Sequence, residues 1–399
     1  MNGNVLVVHG GGPTAVINSS LYGVIEEAKA LGLDKVYAAM GGSQAILKED
    51  FFDLLQVPED RLKLLLETPS TAIGSSRYAL EQEDYDAMPA IFQKYNIKYV
   101  LLNGGNGTMD TCGKIYAACK SSGVTVVGIP KTIDNDIAIT DHTPGYGSAA
   151  RYIAATTAEV GVDVKSLPIH VCVIEAMGRN AGWITAASAL ARKKPGDAPH
   201  LIYLPERTFD IEKFTAKVRK LLTRKDVVVV AVSEGIRIQD GRYVSELGSA
   251  SDYVDAFGHK QLTGTASYLA NVIHRDIGCK TRAVEFSTLQ RSAAHLASRV
   301  DVNEAFMVGG AAVKAADEGD SGKMVVIDRV SDDPYQCATG IYDVHKIANG
   351  EKMVPREWIT KDGTYVTEEF IDYVRPLIQG DSPSVMVDGI PRHLYMGKR

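Results

Sequence analysis

Continuous apolar runs recur along the chain and alternate with longer amphipathic stretches. Runs that polar residues do not interrupt are typical of strands covered on both faces. They predict strands at 4–9, 98–102, 124–129, 170–175, 201–204, 227–233, 305–309 and 324–328. Periodic segments between them predict helices at 16–31, 83–95, 106–121 and 147–161. This alternation predicts an α/β protein with doubly wound, Rossmann-like parallel sheets.

Composition narrows the class of protein. The 399 residues, 45% hydrophobic and 23% charged, suffice for two domains with sizeable cores. A net charge of −6 argues against nucleic acid as the main partner. No run approaches the ~18 apolar residues of a membrane helix, and the chain enters its first strand with no signal peptide. The five cysteines, an odd number without CxxC spacing, favour reduced thiols and a cytoplasmic location.

The segment 130–136, Pro-Lys-Thr-Ile-Asp-Asn-Asp, directly follows a predicted strand. Open α/β sheets bind ligands at the carboxyl ends of their strands. Here Asp134 can accept a proton, Asp136 can hold a metal and Lys131 can neutralise developing charge, which together suit phosphoryl transfer. A polar loop built on Asx turns would use the same residue types, so these seven residues alone leave both interpretations open.

Two glycine-rich turns follow other predicted strands. The first is 9–14, His-Gly-Gly-Gly-Pro-Thr, and the second is 103–108, Asn-Gly-Gly-Asn-Gly-Thr. Glycines let a backbone approach a ligand closely, and a helix amino end favours phosphate. The first turn lacks both Walker A and GxGxxG spacing, and a tight strand-to-helix turn is its alternative. Three such loops at strand ends predict one shared crevice.

Arginines and one carboxylate supply further candidate groups. Arg77 lies in a turn of small residues, and a guanidinium can span two phosphates in a transition state. In the second half, Arg179 and Glu234 follow predicted strands, and Arg282 and Arg291 come later. Arginines for a phosphate and a glutamate for hydroxyls suit a phosphorylated, polyhydroxylated acceptor.

Taken together, these motifs resemble the phosphofructokinase family. They occur in the family's order over roughly residues 4–310: GGxxxxxN at 11–18, GSxR at 74–77, GGxGT at 104–108, TIDND at 132–136, MGR at 177–179, SEG at 233–235 and TRA…QR at 281–291. PTAVIN at 13–18 and STLQRS at 287–292 are most similar to the branch that contains many pyrophosphate-dependent enzymes. The resemblance implies transfer of a phosphoryl group to the 1-hydroxyl of fructose 6-phosphate, giving fructose 1,6-bisphosphate, with Mg²⁺ as cofactor.

The resemblance also implies a role for each matched residue. Catalysis falls to Asp134 as the base, with Thr132, Lys131 and Arg77. The metal falls to Asn106 and Asp136. The donor would face Gly11, Gly12, Gly104, Gly105, Gly107 and Thr108. The acceptor would be held by Thr132, Asp134, Met177, Gly178, Arg179, Glu234, Arg282 and Arg291, with one or more of these arginines from a neighbouring subunit of a homodimer or homotetramer.

One departure from the family pattern concerns the metal. Asn106 stands where the family usually has aspartate. The amide offers an oxygen but no charge, so we expect Asp136 and the donor phosphates to hold the metal more than Asn106 does.

Two positions, Gly107 and Lys131, decide the donor in this family, and here they disagree. The resemblance implies aspartate and lysine there for pyrophosphate users, and glycine at both places for the best-known bacterial ATP users. An aspartate would fill the space of a nucleotide α-phosphate and repel it, whereas lysine can serve either donor. Because excluding a donor depends more on the repelling group, we expect ATP as the donor, with pyrophosphate as the alternative.

The same resemblance predicts the domain organisation. A phosphoryl-donor domain would span 1–145, a sugar-phosphate acceptor domain 146–340, and a C-terminal extension packing on the core 341–399, with the active site in the crevice between the two domains. A non-catalytic regulatory subunit that binds sugar phosphate is a distant alternative. Such a subunit would be expected to lose the base, yet Asp134 is present.

Overall fold

Strands and helices alternate along the chain, as the sequence predicts. The computed structural model describes residues 3–76, 78–248, 264–347 and 350–396. Within these ranges the strands are β1 Asn4–His9, β2 Val36–Ala39, β3 Phe51–Asp53, β4 Ile97–Gly104, β5 Thr125–Pro130, β6 Val171–Ala176, β7 Leu201–Tyr203, β8 Val228–Ser233, β9 Thr281–Glu285, β10 Lys323–Asp332, β11 Tyr335–Asp343, β12 Met386–Val387 and β13 Ile390–Pro391. The α-helices are α1 Ile17–Ala30, α2 Gln44–Leu47, α3 Glu59–Leu62, α4 Gln82–Lys94, α5 Asn106–Ala118, α6 Tyr146–Ser166, α7 Trp183–Ala187, α8 Ile211–Leu222, α9 Thr265–Ile277, α10 Leu289–Ser292, α11 Arg299–Asp317, α12 Val344–Ile347 and α13 Glu368–Val374.

The chain divides into two compact units that do not follow its linear order. Unit 1 comprises Met1–Ser148, Arg291–Glu351 and Gln379–Arg399, and unit 2 comprises Ala149–Gln290 and Lys352–Ile378. This division differs from the contiguous domains 1–145 and 146–340 and the extension 341–399 expected from the sequence. The reason is hydrogen bonding and packing at long range, because β10 pairs with β5 and α11 packs on α1.

Each unit is built on a sheet with parallel strands. In unit 1 the order is β11-β10-β5-β4-β1-β2-β3, parallel from β10 to β2, with antiparallel β11 and β3 at the edges. In unit 2 the order is β7-β8-β6-β9, and every pairing is parallel. The prediction of an α/β fold with two parallel-sheet units is confirmed.

Strand β1 shows why the predicted strands are continuously apolar. All of its residues are buried. Val5 and Val7 pack into one core with residues of α1 and α11, whereas Leu6 and Val8 pack into a second core with residues of α4 and α5. Successive side chains point to opposite faces of a sheet, so a strand with helices on both faces needs apolar residues at every position.

The apolar run 305–309 is helical, and the strand predicted there is wrong. It lies inside α11, which packs against α1 and also against β4, β5 and β10. A helix buried on several sides needs few polar residues, and periodicity alone cannot distinguish it from a buried strand. The other predicted strands correspond to β1, β4, β5, β6, β7, β8 and β10.

The cysteines and the helices agree with the class predicted from composition. All five cysteines are free of disulfide bonds. Across the described ranges, no helix combines the length and apolarity that a membrane span requires.

Helices α1 and α11 approach closely at two glycines. A Cβ atom on Gly23 would lie 2.0 Å from the backbone oxygen of Phe306, and one on Gly309 would lie 2.0 Å from that of Ser20. Real Cβ atoms do not come this close to a backbone oxygen, so only glycine permits this packing.

We expect Gly309→Ala to lower the free energy of unfolding by about 1–3 kcal/mol, the usual cost of overpacking. Gly310→Ala is the matched control, because the nearest atoms to its added methyl group would be 3.7 Å away. Alanine is also favoured over glycine inside a helix by about 1 kcal/mol. Urea and thermal unfolding of both variants measure the difference, and equal stabilities would contradict the close approach.

Candidate active site

Three loops of unit 1 leave the sheet side by side. They follow β1, β4 and β5, which are parallel neighbours in the sheet. The carboxyl ends of such strands lie at one edge of the sheet, so the glycine-rich turns and the acidic loop come together there, as the sequence predicts for these three loops.

Lys131 joins the three loops through both its side chain and its backbone. Its Nζ donates hydrogen bonds to the backbone oxygens of Gly10 and Gly12, at 3.0 and 2.5 Å. Its backbone N–H donates to the oxygen of Gly104 at 3.0 Å. The side chain is 2% exposed. A buried ammonium group is therefore held by hydrogen bonds against the backbone of the first glycine-rich turn.

The glycines beside Lys131 are required by the packing of Thr108. Cβ atoms on Gly10 and Gly104 would lie 2.3 and 2.1 Å from Thr108 Oγ1. Gly105 and Gly107 differ, because a Cβ on Gly105 would make ordinary contacts and one on Gly107 would have no heavy atom within 4 Å. Gly107 thus borders open space at the amino end of α5.

The acidic loop has a backbone that suits its sequence. Asn135 has a φ of 53°, a conformation that asparagine adopts more readily than most residues. Its Oδ1 accepts a hydrogen bond from the Thr143 N–H at 3.1 Å, and the Asp134 N–H donates to Thr132 Oγ1 at 3.1 Å. Asn135 therefore folds inward, and its neighbours Asp134 and Asp136 are left partly accessible.

Asp134 lies in a field of opposing influences. Burial raises the pKa of its carboxyl group, while Lys131, a hydrogen bond with Thr132 and the charge of Arg291 lower it. Burial prevails, so the pKa lies above its usual range. A carboxylate with a raised pKa beside two cations is suited to accept a proton.

Asn106 and Asp136, the expected metal ligands, are in contact. Asn106 Nδ2 donates to Asp136 Oδ2 at 3.1 Å, and Asn106 Oδ1 is buried without a hydrogen-bond partner. A carboxylate beside an unsatisfied amide oxygen fits Mg²⁺, which prefers oxygen ligands and usually keeps waters or substrate phosphates as well. Among the described residues, no group of three or more His, Cys, Asp or Glu side chains is arranged to hold a metal.

The end of the acidic loop is anchored by a buried network that sequence analysis missed. His142 Nδ1 lies 2.7 Å from the Asp141 carboxylate, and its Nε2 lies 2.6 Å from Glu304 on α11. Burial lowers the pKa of His142, but the two carboxylates outweigh burial and raise it to about 9. The hydroxyl group of Tyr335 donates a further bond to Glu304. His142 and Glu304 are 162 residues apart, so no local pattern pairs them.

In unit 2, the turns after the neighbouring strands β6 and β8 pack together. The Gly178 N–H donates to Glu234 Oε1 at 3.3 Å, and the Met177 N–H donates to Gln290 Oε1 at 3.1 Å. The structure thus brings Met177, Gly178 and Glu234 together, with Arg179 as the next residue of the first turn. Gln290 was not predicted, although the quoted segment STLQRS contains it.

The remaining arginines lie in separate places. Arg282 is exposed on β9, an edge strand, opposite Cys172 in the register with β6. Four residues separate Cys172 from the end of β6 at Ala176, about 13 Å along a strand, so Arg282 is not brought to the turn after β6 in its own chain. Arg291 belongs to unit 1, where its Nη1 would lie 2.8 Å from a Cβ on Gly12.

Arg77 lies outside the described residues, but the turn that carries it can be placed. Ser75 Oγ donates a hydrogen bond to the backbone oxygen of Gly11 at 2.7 Å. Ser76 forms a parallel bridge with Gly10. The turn therefore lies against the first glycine-rich loop.

Known proteins resemble this chain over nearly its whole length. The sequence profile of the family Phosphofructokinase matches residues 4–316. The pyrophosphate–fructose 6-phosphate 1-phosphotransferase of Xanthomonas campestris pv. campestris (strain B100) is 42% identical, covering 99% of this chain and 96% of that protein. The protein of the same name from Halomonas elongata is 40% identical over 99% of this chain and 96% of its own. The crystal structure of pyrophosphate-dependent phosphofructokinase from Marinobacter aquaeolei aligns with a TM-score of 0.89 at 36% identity, covering 98% of this chain and 95% of that chain.

These relatives contradict the expectation that ATP is the donor. Both curated proteins and the solved structure carry pyrophosphate in their names. The error lay in the weight given to Gly107. The open space beside it removes a barrier to a nucleotide but supplies no group that binds one. Lys131, the residue that pointed to pyrophosphate, is by contrast built into the loops.

The motifs occur in the family's order, the sheets match a solved member in topology and extent, and the family profile covers most of the sequence. The chain therefore belongs to the phosphofructokinase family.

Proposed function

We propose that the protein transfers a phosphoryl group from pyrophosphate to the 1-hydroxyl of fructose 6-phosphate, giving fructose 1,6-bisphosphate and phosphate. The observation that carries this proposal is Asp134, a partly buried carboxyl with a raised pKa, beside the glycine-rich loops and Lys131. Similarity over 99% of the chain to transferases named for these two substrates supports it.

The donor is assigned to the loops after β1 and β4. Glycine backbone at Gly11, Gly12, Gly104 and Gly105 lets phosphate oxygens approach main-chain N–H groups. The amino end of α5, at Gly107 and Thr108, adds N–H groups that its own helix does not use. Lys131 supplies a positive charge beside these loops.

The acceptor is assigned to other groups. Asp134 accepts the proton of the attacking hydroxyl, and Thr132 fixes the backbone of that loop through its bond with the Asp134 N–H. Arg291 offers a guanidinium near Asp134 that suits a phosphate or the developing charge. In unit 2, Met177, Gly178, Arg179 and Glu234 are assigned to the sugar phosphate by their motifs.

Two further arginines keep the roles that the family resemblance implies. Arg77 would contact the transferring phosphoryl group. Arg282, exposed on an edge strand, would act on a neighbouring subunit of a homo-oligomer.

Asn106 and Asp136 would hold Mg²⁺. When bound, the ion would neutralise charge on the donor phosphates. Because Asn106 brings no charge of its own, Asp136 and the donor would provide the negative charge that attracts the ion.

The proposal is tested directly by assaying the purified protein with fructose 6-phosphate, Mg²⁺ and either pyrophosphate or ATP. We expect kcat/KM for pyrophosphate to exceed that for ATP by ~10²-fold or more, since a site that pairs its polar groups with one ligand rejects another strongly. Formation of fructose 1,6-bisphosphate is the readout. Faster turnover with ATP would overturn the donor assignment, and no turnover with either donor would overturn the proposed reaction.

Asp134→Asn separates base catalysis from binding. We expect kcat to fall ~10²–10⁴-fold, the usual contribution of a general base, while the dissociation constant for fructose 6-phosphate changes little. The thermal midpoint should not fall, because burial already disfavours the charge at this position.

The pH profile gives a second readout of the same residue. Only the ionised carboxylate accepts a proton, so the wild-type rate should fall as the pH falls through the raised pKa of Asp134. The residual activity of Asp134→Asn should lack this acidic limb. A variant with native kcat, or with the same acidic limb, would contradict the assignment.

A further inference from the structure

Unit 2 contains a cavity of about 530 Å³ at the carboxyl end of the edge strand β7. One wall runs from Tyr203 into the first turns of α8, and the other is formed by residues 356–364. None of the residues assigned above to the donor, acceptor or metal lines it. The cavity therefore has no part in the proposed reaction.

Basic side chains outnumber acidic ones in the lining. The basic residues are Arg207, Lys213, Lys217, Arg356 and Lys361, and the acidic ones are Glu206, Asp210 and Asp362. A cavity with this excess of positive charge attracts anions.

Each of the three acids is already engaged. Asp362 forms an ion pair with Lys217, and Asp210 lies 3.0 Å from Lys213 Nζ. Glu206 Oε1 accepts hydrogen bonds from two backbone N–H groups, at 2.8 and 3.0 Å. These contacts neutralise two of the lysines and use the third carboxylate to hold the backbone.

Three cations remain without an acidic partner among the described residues: Arg207, Arg356 and Lys361. Arg207 Nε is also buried without a hydrogen-bond partner. Buried donors in proteins are nearly always paired, so this N–H is a position where a ligand oxygen would be expected. Arg356 and Lys361 are exposed and lie on the opposite wall.

The interior of the cavity is aromatic. The ring of Tyr203 lies 5.0 Å from that of Phe209 and 5.6 Å from that of Phe214, both edge to face. The two phenylalanines are buried, while Tyr203 is partly exposed. The lining thus offers an apolar surface beside its guanidinium groups.

We propose that this cavity binds a small organic phosphate, with the phosphate on Arg207, Arg356 and Lys361 and the organic part against Tyr203. Arginine pairs with phosphate through two parallel hydrogen bonds. The volume lies within the usual range for small-molecule sites, ~300–1,000 Å³, and exceeds what an inorganic phosphate fills.

Calorimetric titration with phenyl phosphate tests the proposal, because this probe combines a phosphate with a planar apolar group. We expect one site per chain. Inorganic phosphate should bind the same site more weakly, and phenol should not bind measurably. Arg356→Gln and Lys361→Gln should each weaken binding of phenyl phosphate by about 3–10-fold, the loss of one charge-assisted contact. Both side chains are exposed, so neither change should disturb folding.

Arg224→Gln is the matched control. It removes an exposed arginine of the same unit that lies outside the cavity lining, and it should bind phenyl phosphate as the wild type does. Saturating fructose 6-phosphate and pyrophosphate should not displace the probe. Absence of binding, equal weakening by the control, or displacement by these two compounds would overturn the proposal.

Discussion

The loops of the candidate active site depend on one buried charge. Lys131 Nζ donates to two backbone oxygens of the loop after β1, and its own backbone N–H reaches the end of β4. Burying an ammonium group is costly unless hydrogen bonds and opposite charge compensate. Here carbonyl oxygens and Asp134 do so. The arrangement that stabilises this charge is also the one that brings the three loops together.

Other residues adapt to that charge. Burial and the nearby ammonium group lower the pKa of His9 to about 3, so its imidazole stays neutral at physiological pH. Farther along the acidic loop, His142 is positively charged instead, since its neighbours are Asp141 and Glu304. The acidic loop is thus held at its start by a lysine and at its end by an imidazolium, and Asp134 and Asp136 lie between two fixed points.

Much of this arrangement was predictable from the sequence, for identifiable physical reasons. Strands covered on both faces have continuous apolar runs, and the loops that follow them carry glycines and acids in short motifs, so β1, β4, β5 and their loops could be placed. The helical run 305–309 could not be distinguished from a strand, because it is buried on several sides. The pairing of His142 with Glu304 joins distant parts of the chain and leaves no local signal.

The donor shows a different limit of sequence reasoning. Gly107 and Lys131 were both read correctly as residues, but their energetic weights depend on the surrounding structure. Empty space beside a glycine excludes nothing and binds nothing, whereas a lysine fixed by two carbonyl oxygens is present in every bound state. The positive group therefore indicates the donor better than the absent negative one does.

Kinetics of Lys131→Met test the central claim most directly, because methionine keeps the apolar stem and removes the charge. The account predicts that kcat/KM for pyrophosphate falls by ~10²-fold or more, as for removal of one preorganised stabilising group. It also predicts a lower thermal midpoint, since the oxygens of Gly10 and Gly12 lose their donor, while Lys114→Met, an exposed change in the same unit, alters neither quantity. Native kcat/KM for pyrophosphate in Lys131→Met would contradict the account.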